Sequence, residues 1–182
     1  GDVLDTLPRL KRLFANGSLT AKHLKHASLE SLYLLGDPLN PAVVETISVG
    51  GLPALKHLGI SLSSEQKPAG EAAALKTLSL GWKTLEVIQV DSVTDLAGFL
   101  KVISKLKCPL QRVQLTVSAF PDEDEFLAAL SAHAAGLKHV KTLELPFADY
   151  ISEPGIKRAR SLVPSLTEPK TNGILPSVYA AW

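Results

Sequence analysis

Apolar positions along this chain return in one short phrase, Leu-x-x-Leu-x-Leu, with Val, Ile or Ala at some of its places. The copies are Leu10/Leu13/Ala15, Leu29/Leu32/Leu34, Leu55/Leu58/Ile60, Leu85/Ile88/Val90, Leu110/Val113/Leu115 and Val140/Leu143/Leu145. They begin at residues 10, 29, 55, 85, 110 and 140, which sets intervals of 19, 26, 30, 25 and 30 residues. Within each phrase the last apolar places alternate with polar ones, the period of a strand with one buried face. A recurrence of this length marks a solenoid, in which each unit buries its apolar edge only against its neighbours.

Between the phrases the period lengthens to that of a helix. The clearest case is residues 94–106, where Leu96, Phe99, Leu100, Ile103 and Leu106 share one stripe, with Thr94 as the expected N-cap and Asp95 in the first turn. A second helix is expected over 122–135, with Phe126, Leu127, Leu130 and Ala134 inward. A third starts at Asn40-Pro41, carries Val43, Val44 and Ile47, and stops at Gly50-Gly51. Residues 71–80 contain a further copy of the phrase. It lies too close to Leu85 for another unit, and Ala72, Ala73 and Ala74 favour a helix there. One helical turn fits at 20–26, and a last helix at 153–163 is entered through Ser152 and Pro154. Beyond it, Pro164, Pro169, Pro176 and Gly173 break the period. The order is thus strand, loop, helix, loop, repeated, and parallel strands need such crossovers. Residues 1–166 form one unit of about six repeats, and 167–182 a capping tail over the open end of the core.

Several of these pieces, Leu7-Pro8-Arg9-Leu10-Lys11-Arg12-Leu13 and Leu52-Pro53-Ala54-Leu55-Lys56-His57-Leu58 above all, are typical of one family. Over about residues 7–166 the chain resembles a leucine-rich repeat protein of the irregular, helix-bearing, intracellular type. The resemblance implies an α/β fold: a solenoid with a parallel concave sheet and helices on the convex side. The family often places Asn nine positions into the repeat, where its amide satisfies turn backbone. Here those places hold Ser18, Asp37, Ser63, Val93, Ser118 and Ala148, so there is no asparagine ladder. The segment from Phe120 through His133 is similar to the divergent repeats of fungal F-box-type proteins, which by analogy suggests the substrate-recognition part of a ubiquitin-ligase adaptor.

Composition narrows the function. Nineteen basic against eighteen acidic residues leave a net charge of +1, so no general field attracts nucleic acid or an anionic membrane. No apolar run approaches the roughly 20 residues that span a bilayer. The start at Gly1, with no basic-then-apolar leader, suggests a fragment rather than a signal peptide. The single cysteine, Cys108, reads as buried filler in a reducing compartment, and the cytoplasm or nucleus is expected. Asn16-Gly17-Ser18 matches the glycosylation pattern, a match common by chance.

Strand alternation assigns the residues between the apolar places to the outer face of the sheet. These are Arg12, Phe14 and Asn16; Ser31, Tyr33 and Leu35; His57, Gly59 and Ser61; Val87, Gln89 and Asp91; Arg112, Gln114 and Thr116; Thr142, Glu144 and Pro146. The face is expected to divide into an apolar and aromatic end, Phe14, Tyr33, Leu35 and His57, and a polar end, Gln89, Asp91, Arg112, Gln114 and Glu144. Together with Arg12 these residues make the candidate partner-binding set, with Phe14, Tyr33 and Arg112 as anchors, because aromatic and Arg side chains dominate interface energetics. Packing of Phe14 and Leu35 under an N-terminal flank is the structural alternative. The function expected is binding of a protein partner, by a monomer or a subunit of a hetero-complex, without enzymatic activity, metal or cofactor. A structural accessory subunit of a larger assembly is the other reading.

The remaining constellations read as structure. His23 and His26, or His133 and His139, lack further ligands at zinc spacing and read as surface histidines. Asp122-Glu123-Asp124-Glu125 suits a helix start, and Lys157, Arg158 and Arg160 a solvated helix face. An open α/β enzyme would also alternate strands and helices, and Val87 to Asp91 is a strand ending in an acid. No second catalytic group stands at a matching strand end, and no phosphate-binding loop or nucleophile elbow occurs.

Overall fold

The computed structural model describes residues 7–16, 26–35, 41–62 and 68–169. Its elements alternate as the periodicity requires: β1 (Arg12–Asn16), β2 (Ser31–Leu35), α1 (Pro41–Ser48), β3 (His57–Ser61), α2 (Pro68–Leu78), β4 (Val87–Val93), α3 (Leu96–Ile103), β5 (Arg112–Val117), α4 (Glu123–Leu137), β6 (Thr142–Glu144), α5 (Glu153–Leu162) and β7 (Leu166–Thr167). One turn of 3-10 helix, Ser79–Gly81, follows α2. The strands form one parallel sheet in the order β1-β2-β3-β4-β5-β6-β7, with no reversal.

Register follows the phrase. Leu13, Leu32, Leu58, Ile88, Val113, Leu143 and Leu166 sit opposite one another across all seven strands, and Ala15, Leu34, Ile60, Val90 and Leu115 make a second row. Both rows from β2 onward are buried, as is the row that precedes the strands, Leu29, Leu55, Leu85, Leu110 and Val140. Against them pack Val43, Val44 and Ile47 of α1, Leu75 of α2, Phe99, Leu100 and Ile103 of α3, Phe126 and Leu130 of α4, and Ala159 of α5. Successive helices meet side by side, α1 on α2 through to α4 on α5. Unreversed order with right-handed crossovers places such helices on one side of a sheet, and the single core agrees.

Outside the core, the place just before each of β1, β2, β3 and β4 repeats one backbone pattern. The carbonyl of Lys11 accepts from the N–H groups of Glu30 and Ser31, that of Glu30 from Lys56 and His57, that of Lys56 from Glu86 and Val87, and that of Glu86 from Gln111 and Arg112. The side chains at those places alternate in sign, and Glu30 lies between Lys11 and Lys56, bonded to the first and 4.0 Å from the second. The Lys11 ammonium, through its hydrogen bond and its charge, holds the Glu30 carboxyl below its ordinary range. Hydroxyls just ahead of the phrase tie units together as well: Ser28 donates to the Pro8 carbonyl at 2.7 Å and Thr84 to the Leu55 carbonyl at 2.7 Å.

In the segments that follow β4 and β6, carboxylates accept from backbone donors. Glu71, in the first turn of α2 and buried, accepts from the backbone N–H of Thr94 at 3.0 Å and from its hydroxyl. Glu168 accepts from the N–H groups of Phe147 at 3.0 Å and Ala148 at 2.7 Å. Glu123 accepts from the Ser152 N–H at 2.6 Å and hydroxyl at 2.9 Å. Each acid satisfies backbone donors that the turn would otherwise leave open.

Several local expectations change. Thr94 does not cap α3: its donors go to Glu71, and Asp95 caps instead, accepting from the Gly98 N–H at 2.8 Å. That helix ends at Ile103, short of 106, and α4 runs past 135 to Leu137. β4 extends to Val93 through a bulge, with Ser92 in the left-handed region at φ 64° and its N–H bonded to the Thr116 hydroxyl at 2.9 Å. A seventh strand, beyond the six phrases, begins at Leu166. The helix over residues 71–80, the stop at Gly50 (φ 81°), the Ser152 cap and the Asp122 cap are as the sequence indicates. The turn expected at 20–26 and most of the tail at 167–182 lie outside the described residues.

Candidate functional site

The sheet face opposite the helices carries three rows set by strand register. The first is Arg12, Ser31, His57, Val87, Arg112 and Thr142, and the second is Phe14, Tyr33, Gly59, Gln89, Gln114 and Glu144. The third pairs Asn16 with Leu35, and Ser61 with Asp91. All ten sequence-predicted site residues therefore share one face. Arg12, Phe14 and His57 are exposed; Leu35, Gln89, Asp91, Arg112 and Gln114 are half-buried. Tyr33 and Glu144 are not surface residues as alternation suggests, being 1% and 4% exposed.

Tyr33 is buried in part because its neighbour on β3 is glycine. A Cβ on Gly59 would stand 1.9 Å from Tyr33 Cδ2, so the ring lies flat across the bare backbone of β3. From there its hydroxyl reaches β4 and donates to Asp91 Oδ2 at 2.8 Å. Phe14 stacks on the ring, centroids 5.3 Å apart and planes 9° from parallel. The expected division into apolar and polar ends is thus bridged by one side chain. A polar pair also lies within the apolar end, where the Ser31 hydroxyl and His57 Nδ1 are 3.1 Å apart.

Toward β6 the face becomes ionic. Arg112 donates through Nη2 to Glu144 Oε2 at 2.8 Å, and the carboxylate side chain is 6% exposed against 42% for the arginine. Arg112 Nε is buried without an acceptor among the described residues. Asp91, already holding Tyr33, has the Gln89 amide nitrogen 3.4 Å away. The surface therefore offers one exposed ring, one imidazole, a guanidinium held by a buried acid, and carboxamides in between.

Residues considered for other chemistry are placed as follows. Cys108 is buried and free, and burial pushes its thiol above the ordinary range, as filler requires. His26 is not on the surface: it is 7% exposed, with Nε2 2.9 Å from the Leu7 carbonyl. His133 is half-buried, and burial, then the charges of Lys101 and Lys105, holds it below the usual imidazole value. His23 lies outside the described residues. Among the described residues no three His, Cys, Asp or Glu side chains meet in a metal-ligating group, and no helix is long and apolar enough to cross a membrane. The Tyr33–Asp91 bond, the Glu71 clamp and the carboxylate turns were not foreseen from sequence; only glycine opposite tyrosine on a shared row signals the first. No family model and no curated protein matches this sequence.

Proposed function

We propose that the chain is a leucine-rich-repeat-type solenoid whose open sheet face binds a protein partner. The observation that carries this reading is the unreversed seven-strand parallel sheet with its core on one side only. On the other side two registered rows run over successive strands. Carboxylates at the turns do for backbone donors what the family's asparagines do, which accounts for the missing ladder. A sheet whose helices all lie on one face leaves the other for ligands, and extended repeat surfaces serve protein recognition in this way. On this face His57, exposed, and Gln89 and Gln114, half-buried, are the polar contacts, and Arg112 is an anchor already oriented by Glu144. Tyr33 acts differently: it holds the floor on which Phe14 rests.

The test is capture from native lysate with the wild-type chain, a His57→Glu/Gln114→Lys variant of the open face, and an Ala132→Glu variant on α4. One partner that persists with the α4 variant and disappears with the open-face variant supports the assignment. A partner lost only with the α4 substitution contradicts it.

A further inference from the structure

On the helical side of the molecule, a groove of about 900 Å³ opens between α2 and α3. Its apolar lining comes from Leu80, Trp82, Val102 and Leu106, with Leu80 69% exposed. Five lysines surround it: Lys76, Lys83, Lys101, Lys105 and Lys107. All five are exposed, and none has an ion-pair partner among the described residues. The single acid in the lining, Asp95, is engaged as the cap of α3. The groove is therefore cationic at its rim and greasy within.

One buried donor lies beside the groove. Trp82 lines the groove and is 4% exposed, yet its indole N–H has no acceptor among the described residues. A buried donor without an acceptor is unfavourable, so such groups normally find one.

We propose that this groove binds a small anionic amphiphile, a carboxylate or sulfonate head on an apolar chain or ring of about a dozen carbons. The tail lies on Leu80, Val102 and Leu106, and the head sits among the lysines. Size and chemistry both select this class. Volumes of roughly 300–1,000 Å³ with mostly apolar walls and a few polar groups are the dimensions of small-ligand sites. Inorganic anions would leave the apolar walls wet. Nucleic acid would need exposed rings to stack on, and the ring in this groove is buried.

The experiment is a fluorescence titration of Trp82 in the full chain carrying Trp182→Phe, so that one indole reports. Dodecanoate is the probe, below its micelle concentration. Dodecyltrimethylammonium is the charge control, and an acidic amphipathic peptide the macromolecular control. A saturable change with dodecanoate, an affinity loss of at least ~10-fold in Lys101→Glu/Lys105→Glu, and a several-fold loss in Leu80→Glu support the site. All three positions are exposed, so the variants keep the fold, which a thermal melt checks. No dodecanoate response, an equal response to the cationic detergent, or unchanged affinity in the lysine variant overturns the proposal. Tighter binding of the peptide than of dodecanoate also overturns it, in favour of a partner helix.

Discussion

Gly59→Ala is the substitution on which the open-face geometry makes its sharpest demand. Alanine normally improves a strand by about 0.5–1 kcal/mol over glycine. Here the added methyl would stand 1.9 Å from Cδ2 and 2.5 Å from Cε2 of Tyr33, so the ring must leave its place. Three losses follow: overpacking of about 1–3 kcal/mol, a hydrogen bond to the Asp91 carboxylate worth about 1.5–3 kcal/mol, and the Phe14 stack worth about 0.5–1.5 kcal/mol. These overlap, because one movement of the ring relieves the first by giving up the others. A net cost of about 3 kcal/mol is expected, or about 6–12 °C in melting temperature for a chain of this size. The assay is urea and thermal denaturation followed by circular dichroism, repeated in a Tyr33→Val background that removes the ring but keeps a strand former. In that background Gly59→Ala should cost less than about 0.5 kcal/mol or stabilise. Equal cost in both backgrounds would refute the reasoning, since the methyl would then be meeting something other than Tyr33.

Three further outcomes follow from the packing. Glu71→Ala leaves the Thr94 N–H without its acceptor and should cost about 1–3 kcal/mol in denaturation, while Glu71→Gln, which keeps one acceptor oxygen, costs less. Gly136→Ala raises helix propensity, yet a Cβ there would lie 2.4 Å from the Ser104 carbonyl oxygen; destabilisation by about 1–3 kcal/mol is expected, against the sign propensity predicts. An NMR titration should place His133 below the ordinary imidazole range, and Lys101→Glu should raise it. Because the folded value is the lower one, the neutral form is favoured by folding. Stability is full above the ordinary imidazole value and falls as pH drops from there toward the lowered value.

The strands were legible because the phrase and the alternation coincide: Leu32, Leu58, Ile88, Val113 and Leu143 fall on one row from spacing alone. Helices were legible where apolar stripes were long, and their ends less so, since Thr94 and Asp95 both suit a cap and only the buried Glu71 decides between them. The candidate face was legible as a list, because alternation fixes which side a residue takes. Its exposure was not. Whether Tyr33 stands in solvent depends on a missing side chain at Gly59, 26 residues away in sequence but adjacent in register. The lysine-rimmed groove was equally hidden, since its residues come from two helices and the loops that follow them.

The most direct test of partner binding by the open sheet face is site-specific photocrosslinking. A benzophenone side chain is placed in turn at His57 and Gln114 on the open face and at Ala132 on α4. The account predicts one discrete protein adduct from both sheet positions, abolished by Arg112→Glu, and none from α4. Adducts from Ala132 with none from the sheet positions would contradict it.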